Sequence, residues 1–299
     1  MIAELLSDLF QKGGLLIRPS HGGESVFDLH RGEIISLFEK HGALVFRGFD
    51  LPPEKIPLLT DRFTESYASD AVRRAVRFGQ RIIRDVDQGH HDVPLHSEAS
   101  FAASWPEIVW FYCNVPPAEG GSTTLCDGMR LWQKLPAKTQ NTFVAQPLRY
   151  EVAIDIGESG SHGVEPWPSK SPGTSGHIDW DAGTIRLAIL RFAANEARTL
   201  GSLCFANHLL AAAEPQIRKV TLADGTPIAP ETLSEIAAIA AKLTFEQPWQ
   251  PQDLMMIDNV RFMHGRRAYA ERAKRDIVQI QTQRASFAYG SSTRRALSS

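Results

Sequence analysis

Cysteine is scarce in this chain of 299 residues: there are three, Cys113, Cys126 and Cys204, widely spaced and odd in number. They form neither a disulfide framework nor the paired spacing of a structural zinc site, and they fit a reducing cytosol. Charge of one sign is lacking too. Lys and Arg number 32 against 34 Asp and Glu, a net charge of −2, so nothing favours nucleic acid or an anionic membrane as partner. No apolar run approaches the roughly 20 residues that span a bilayer. Met1 to Asp8 is acidic and periodic, unlike a signal peptide. There is no internal repeat, and no linker rich enough in Pro, Gly or Ser to divide the chain. The expectation is a cytoplasmic protein with one domain over 1–299, whose small, polar last residues, 290–299, form a loose tail.

What is present is a chain rich enough in apolar residues, 43%, to build a substantial core. A short N-terminal helix should lead to the strand Gly42–Gly48, an apolar run bounded by glycines. Leu51 to Ala68, opened by Pro52 and Pro53, reads as a helix. Ile108 to Tyr112 is β-branched and aromatic, hence a strand. Helical spacing returns over Met129–Val144 and, with one apolar face, over Pro230–Leu243. Leu148–Ile156, Thr184–Phe192, Leu254–Ile257 and Asp276–Thr282 read as extended. Gly157 to Gly176 holds five glycines, three prolines and five serines, and a stretch this long without a period reads as a lid, over about 157–182. Many strands with a few flanking helices predict a mainly β fold, a jelly roll or cupin-type double-stranded β-helix, whose mouth is suited to a metal.

Three short segments carry the chemistry: His96-Ser97-Glu98, Gly120-Gly121-Ser122-Thr123, and Asn259 through His264, with Arg275 beyond. Two histidines and a carboxylate make a facial triad, which holds Fe(II) on one face and leaves the other open. The Arg offers a bidentate fork for a carboxylate and the Thr a further hydrogen bond. With 10 His and 34 acidic residues, about one His-x-acid tripeptide is expected by chance. The chain has three, the others being His90-His91-Asp92 and His177-Ile178-Asp179. On a strand, residues i and i+2 share a face, so each could chelate. His96/Glu98 is singled out because a strongly β-like strand and the Gly-Gly-Ser-Thr turn follow it. His90/Asp92 lies in a polar connection, and His177/Asp179 beside the lid.

The chain resembles the taurine dioxygenase family of the clavaminate synthase-like superfamily over nearly its whole length. The segments that carry the likeness are Ala43–Phe49, Pro116–Thr123, Phe205-Ala206-Asn207-His208, Asp224–Ile228, and Asp258-Asn259 through His264-Gly265-Arg266. The resemblance implies that His96, Glu98 and His264 ligate iron, and that Thr123 and Arg275 contact 2-oxoglutarate, with O2 as the other cosubstrate. Two departures stand out. Most members carry His-x-Asp where this chain has Glu98, and many place a second Arg where it has Gln279. Both features are similar to a subgroup near the syringomycin-type β-hydroxylases, which act on aminoacyl groups.

The implied activity is oxidation of a C–H bond, by hydroxylation above all, in an amino acid or an aminoacyl group, free or carrier-bound, in secondary metabolism. The lid suits exclusion of water, with Trp167, His177 and Trp180 as candidate substrate walls and Arg186 or Arg191 as a candidate partner for a substrate carboxylate. Two competing readings are a catabolic dioxygenase of a small anion such as a sulfonate, and a metal-binding cupin-like module without activity.

Overall fold

The structure, a computed structural model, describes residues 1–5, 14–68, 74–102, 105–155, 174–179, 184–196, 202–213, 216–270 and 274–287. The chain opens with β1 (Ile2–Leu5) and β2 (Leu15–Arg18), paired antiparallel. Helix α1 (Arg31–His41) ends at Gly42, whose φ of 73° lets its N–H reach the Phe38 carbonyl at 2.7 Å. That left-handed cap turns the chain straight into β3 (Ala43–Phe46). The helix expected ahead of this strand is therefore 31–41, and the first residues are a strand. The helix expected over Leu51–Ala68 is shorter than the spacing implies: α2 covers only Ile56–Thr60, and β4 (Thr64–Tyr67) joins a sheet. Its β-branched and aromatic ends suit that pleat, and a hydroxyl contact from Thr64 to Thr282 (2.7 Å) ties it there.

Strands β5 (Val76–Arg77) and β6 (Gln80–Asp85) form a hairpin, and β7 (Val93–His96), β8 (Ile108–Val115) and β9 (Thr123–Asp127) follow. The helical stretch after Asp127 is two helices, α3 (Gly128–Lys134) and α4 (Ala137–Ala145), because Pro136 cannot continue the first. Strands β10 (Leu148–Asp155), β11 (Thr174–Asp179) and β12 (Thr184–Arg191) build a separate antiparallel sheet with β15 (Ile217–Leu222); β13 (Ala194–Glu196) and β14 (Leu203–Phe205) pair between them in sequence. Helix α5 (Pro230–Leu243) covers the expected residues, with Pro at its first position and Ile236 and Ala240 buried. The chain closes with β16 (Phe245–Gln247), β17 (Leu254–Asp258), β18 (Phe262–Arg266) and β19 (Asp276–Ala285). Most of the expected lid and all of the expected tail lie outside the described residues.

The large sheet runs β1-β2-β3-β17-β8-β19-β6-β5, with β4 also on β19, and the small sheet runs β16-β9-β18-β7. Period-two alternation sends Val109, Phe111 and Cys113 of β8, with Met255 and Ile257 of β17, into a core shared with Leu125, Phe245 and Phe262 of the small sheet. Trp110, Tyr112, Leu254 and Met256 point the other way, onto Phe38 of α1. Both faces are thus buried, which is why these strands read as unbroken apolar runs. A third cluster packs α3, α4 and α5 on the small sheet through Cys126 and Met263. This is the jelly roll that the element pattern predicts. Among the described residues no helix is long and apolar enough to cross a membrane.

One buried ion pair staples the roll. Arg47, just past β3, grips Asp253, just before β17, through Nε (2.8 Å) and Nη2 (2.5 Å), and Asp253 also accepts from the Gln250 N–H. Both side chains are buried, at 8% and 0% exposure, so removing one strands the other. Asp253→Ala is expected to cost about 3–5 kcal/mol in a urea melt. A cost near that of a surface substitution would show that the staple is dispensable.

Candidate metal centre

Strand β18 lies between β7 and β9, and its register sets His264 opposite His96. The Glu98 carboxylate completes the group: its Oε2 is 3.7 Å from His96 Nε2 and 3.5 Å from His264 Nε2. One ligand atom from each residue lies within 4.8 Å of the others, and among the described residues no other such set occurs. Glu98 does not share a strand face with His96, because β7 ends at His96. Instead it sits in the following turn, where Ala99 adopts φ 52°. Asn259 holds that turn from both sides: its Oδ1 accepts from the Glu98 N–H (2.8 Å), and its Nδ2 donates to the carbonyls of Glu98 (3.0 Å) and Pro106 (2.8 Å). Ser97 Oγ donates to the Asn259 carbonyl at 2.6 Å and receives the Trp105 indole N–H.

The protonation pattern suits a cation. His96 Nδ1 lies 2.8 Å from the Pro94 carbonyl, which accepts only, so the proton belongs on Nδ1 and the Nε2 lone pair faces the triad. Burial, helped by His96, pushes His264 down to about 4, so its imidazole is neutral and able to ligate. Burial pushes the Glu98 carboxyl up, but Arg74 and the two imidazoles more than reverse this and hold it well below the usual carboxylate range. Two imidazoles and one carboxylate are the donor set for Fe(II). Among the described residues, His264 Nδ1 is buried without a hydrogen bond.

A cavity of about 540 Å³ opens over the triad and reaches Thr123, Arg275 and Gln279. Gly120 and Gly121 take φ 66° and 63°, and the turn they make puts the Gly121 carbonyl 2.8 Å from Arg275 Nε. Among the described residues neither Nη group of that guanidinium has a hydrogen-bond partner, which leaves both for a ligand. Burial, with Arg266 nearby, lowers Arg275 to about 10, still charged at neutral pH. Thr123 Oγ accepts the Trp249 indole N–H at 2.9 Å, which leaves its own proton to donate elsewhere. Gln279 faces the cavity beside Phe111, its cross-strand partner, and among the described residues its buried Nε2 has no partner. A fork, a hydroxyl proton and an amide N–H₂ around one cavity fit a small dicarboxylate.

His90, His91 and Asp92 are exposed, with Asp92 accepting from the Ala268 N–H. His177 and Arg186 face each other in register on β11 and β12, and their side chains lie outside the described residues, as do Trp167 and Trp180. Arg191 sends Nη1 to the Leu190 carbonyl and Nη2 to that of Ala102, away from the cavity lining. Sequence reasoning passed over Trp249, the clamping role of Asn259, and His208. The last is a buried histidine, pushed down to about 3 mainly by burial, with its ring 4.9 Å from that of His96. Asn259 sits in the distal motif already marked by His264; nothing in the sequence ties Trp249 to Thr123.

A jelly roll with a two-histidine, one-carboxylate cluster at a cavity defines the class of non-haem iron oxygenases. The model of the taurine catabolism dioxygenase TauD, TfdA family matches residues 17–281, and the chain belongs to that family. It is an iron(II)- and 2-oxoglutarate-dependent dioxygenase. The chain is 26% identical to the tyrosine isonitrile desaturase of Pseudomonas aeruginosa, covering 89% of this chain and 86% of the relative. It is 23% identical to a clavaminate synthase-like protein of Arabidopsis thaliana, covering 78% and 80%. Among solved structures, PvcB of Pseudomonas aeruginosa has a TM-score of 0.59 at 20% identity, with 90% of this chain and 86% of PvcB covered. AAD-2 in complex with Mn(II) and N-oxalylglycine has 0.60 at 15%, with 95% and 97% covered. These two likenesses show the fold.

Gly265 separates the second histidine from Arg266. A Cβ there would strike the Val93 carbonyl oxygen and lie 2.9 Å from Thr124 Oγ1, so β18 fits between its neighbours only with glycine. Gly265→Ala should part β18 from β7, shift His264 from His96, and weaken Fe(II) binding by at least tenfold in a titration. Unchanged affinity would mean that the strands absorb the methyl without moving the ligands.

Proposed function

We propose that His96, Glu98 and His264 hold the iron, that Thr123 and Arg275 hold 2-oxoglutarate, and that a small amino-acid-derived molecule is oxidised at a C–H bond beside them. What carries the reading is the convergence of the three ligand atoms at the floor of a cavity whose wall holds the Arg275 fork. Iron with 2-oxoglutarate supplies the activation of O2 that C–H oxidation needs. The chain supplies position. Arg275 takes the distal carboxylate in a bidentate grip, the Thr123 proton adds to it, and the Gln279 amide is placed to donate to another cosubstrate oxygen. Phe111, with its ring edge on His264 at 5.1 Å, closes the apolar side of the cavity.

The size of the cavity supports a small substrate, as does the likeness to a desaturase of tyrosine isonitrile. An amino-acid derivative in secondary metabolism is favoured over a sulfonate on the same ground. Hydroxylation is the outcome proposed. Mass spectrometry of products from a panel of amino acids and N-substituted amino acids tests it, since hydroxylation adds one oxygen and desaturation removes two hydrogens. If 2-oxoglutarate turnover is stimulated by sulfonates and by no amino-acid derivative, the substrate class proposed is wrong.

His96→Ala and His264→Ala should each abolish Fe(II) binding, read by titration under nitrogen, while circular dichroism stays native. His177→Ala should leave iron affinity intact. Tight iron binding by either of the first two variants would sink the triad.

Arg275→Lys keeps the charge and loses the fork. The apparent affinity for 2-oxoglutarate should fall by about tenfold or more, or 1.4 kcal/mol, and Thr123→Val should weaken the same step less. A change confined to affinity for the amino-acid substrate would move Arg275 to the other carboxylate.

A further inference from the structure

The cavity contains a third cation, Arg74, tied to the triad by a single long contact to Glu98. Arg74 lies just ahead of β5, and its backbone is fixed by the β5–β6 hairpin: its carbonyl accepts from Arg84 Nη1 at 3.1 Å, and the next carbonyl, of Ala75, accepts from the Asp85 N–H. Its side chain lines the cavity and is 35% exposed. Among the described residues the guanidinium makes one polar contact, a long 3.5 Å approach of Nη2 to Glu98 Oε1. The other cavity arginines are committed. Arg266 spends both Nη groups on Asp87 and the His91 carbonyl, and Arg275 is anchored on Gly121.

We infer that Arg74 is the anchor for a free carboxylate on the substrate, and that the enzyme acts on the acid itself rather than on an ester, amide or carrier thioester. This rests on the iron and cosubstrate reading above. Charge leads to it first. Arg266 is paired with the Asp87 carboxylate, whereas among the described residues Arg74 has only the 3.5 Å contact to Glu98, a carboxylate that also faces both imidazoles and would be shared with the iron. Asp92, at the rim, is exposed and bonded to a backbone N–H, so water screens it. Arg74 is thus a cation on the cavity wall whose one counter-charge among the described residues is distant and shared with the metal centre.

Geometry agrees. Glu98 turns Oε2 to the two imidazoles and Oε1 to Arg74. The guanidinium is therefore one carboxylate's breadth from the centre. A second carboxylate gripped by its free N–H groups would bring the first carbons of its own chain beside the imidazoles. The position oxidised is then the carbon α or β to the carboxylate. An aminoacyl thioester has no free α-carboxylate to offer, which separates the two substrate forms that the sequence leaves open.

The test uses protein loaded with Mn(II) and N-oxalylglycine, which cannot turn over, and calorimetric titration with N-formyl L-amino acids and their methyl esters. Wild type should bind at least one acid at least tenfold more tightly than its ester. Arg74→Gln should erase that preference and Arg74→Lys restore part of it, while the affinities for Mn(II) and N-oxalylglycine change by less than about twofold. Esters that bind as well as acids, acids that bind Arg74→Gln as well as wild type, or no acid that binds at all would each overturn the inference. So would a loss in Arg74→Gln of Mn(II) affinity alone, which would make Arg74 a positioning residue for Glu98. Failure of wild type to bind Mn(II) with N-oxalylglycine would bring down the underlying reading, and is recognised before any acid is added.

Discussion

Strand β18 is paired on both sides, and that double pairing is the constraint on which the centre depends. Its register with β7 sets His264 against His96, and its register with β9 sets Arg266 against Thr123. One strand thus aligns the metal end of the cavity with the cosubstrate end. The fit is close enough that the backbone at position 265 admits no side chain, and the barrel cannot loosen there without losing both alignments at once. Asn259, in the turn that feeds β18, extends the same control to Glu98 by clamping its N–H and its carbonyl. All three triad residues are therefore referred to one short segment of chain.

Around this segment the buried charges are handled in two ways. Those that hold the roll together, Arg47 with Asp253 and Arg261 with Asp127, are closed bidentate pairs with further backbone partners. Three donors in the cavity are left partly open among the described residues: Arg275 has one bond to a carbonyl, the half-buried Arg74 one long contact, and Gln279 a buried amide with no partner on Nε2. An open buried donor costs more than a satisfied one, and a ligand carboxylate removes that cost. Structural and binding arginines are thus told apart by what completes them.

Much of this was legible in the chain. The apolar runs at 43–46, 108–112 and 254–257 gave their strands because both faces of the large sheet are buried, and Pro230 marked the start of α5. The failure at 51–68 has a specific cause: the spacing there is compatible with a helix, but Thr64–Tyr67 gains more from pairing with β19, a partner more than two hundred residues away. The motif spacing drew attention to His96, Glu98 and His264, though for a reason that the backbone does not respect, since Glu98 lies beyond the strand end. Its extra methylene, compared with the Asp usual in the family, belongs to a ligand presented from a turn. Arg74 could not have been read at all. It reaches Glu98 through a hairpin with no motif of its own, across 24 residues of sequence.

The hydrogen bond from Trp249 to Thr123 has an optical consequence. The indole N–H donates to the same oxygen whose proton is proposed to meet the cosubstrate, so indole, hydroxyl and carboxylate would form one polarised chain. Charge arriving at the far end would then be felt at the ring, which is 8% exposed and so little disturbed by bulk water. On that proposal Trp249 would be a built-in chromophore two hydrogen bonds from the cosubstrate, and its emission would respond to the filling of the cavity before any oxidation takes place.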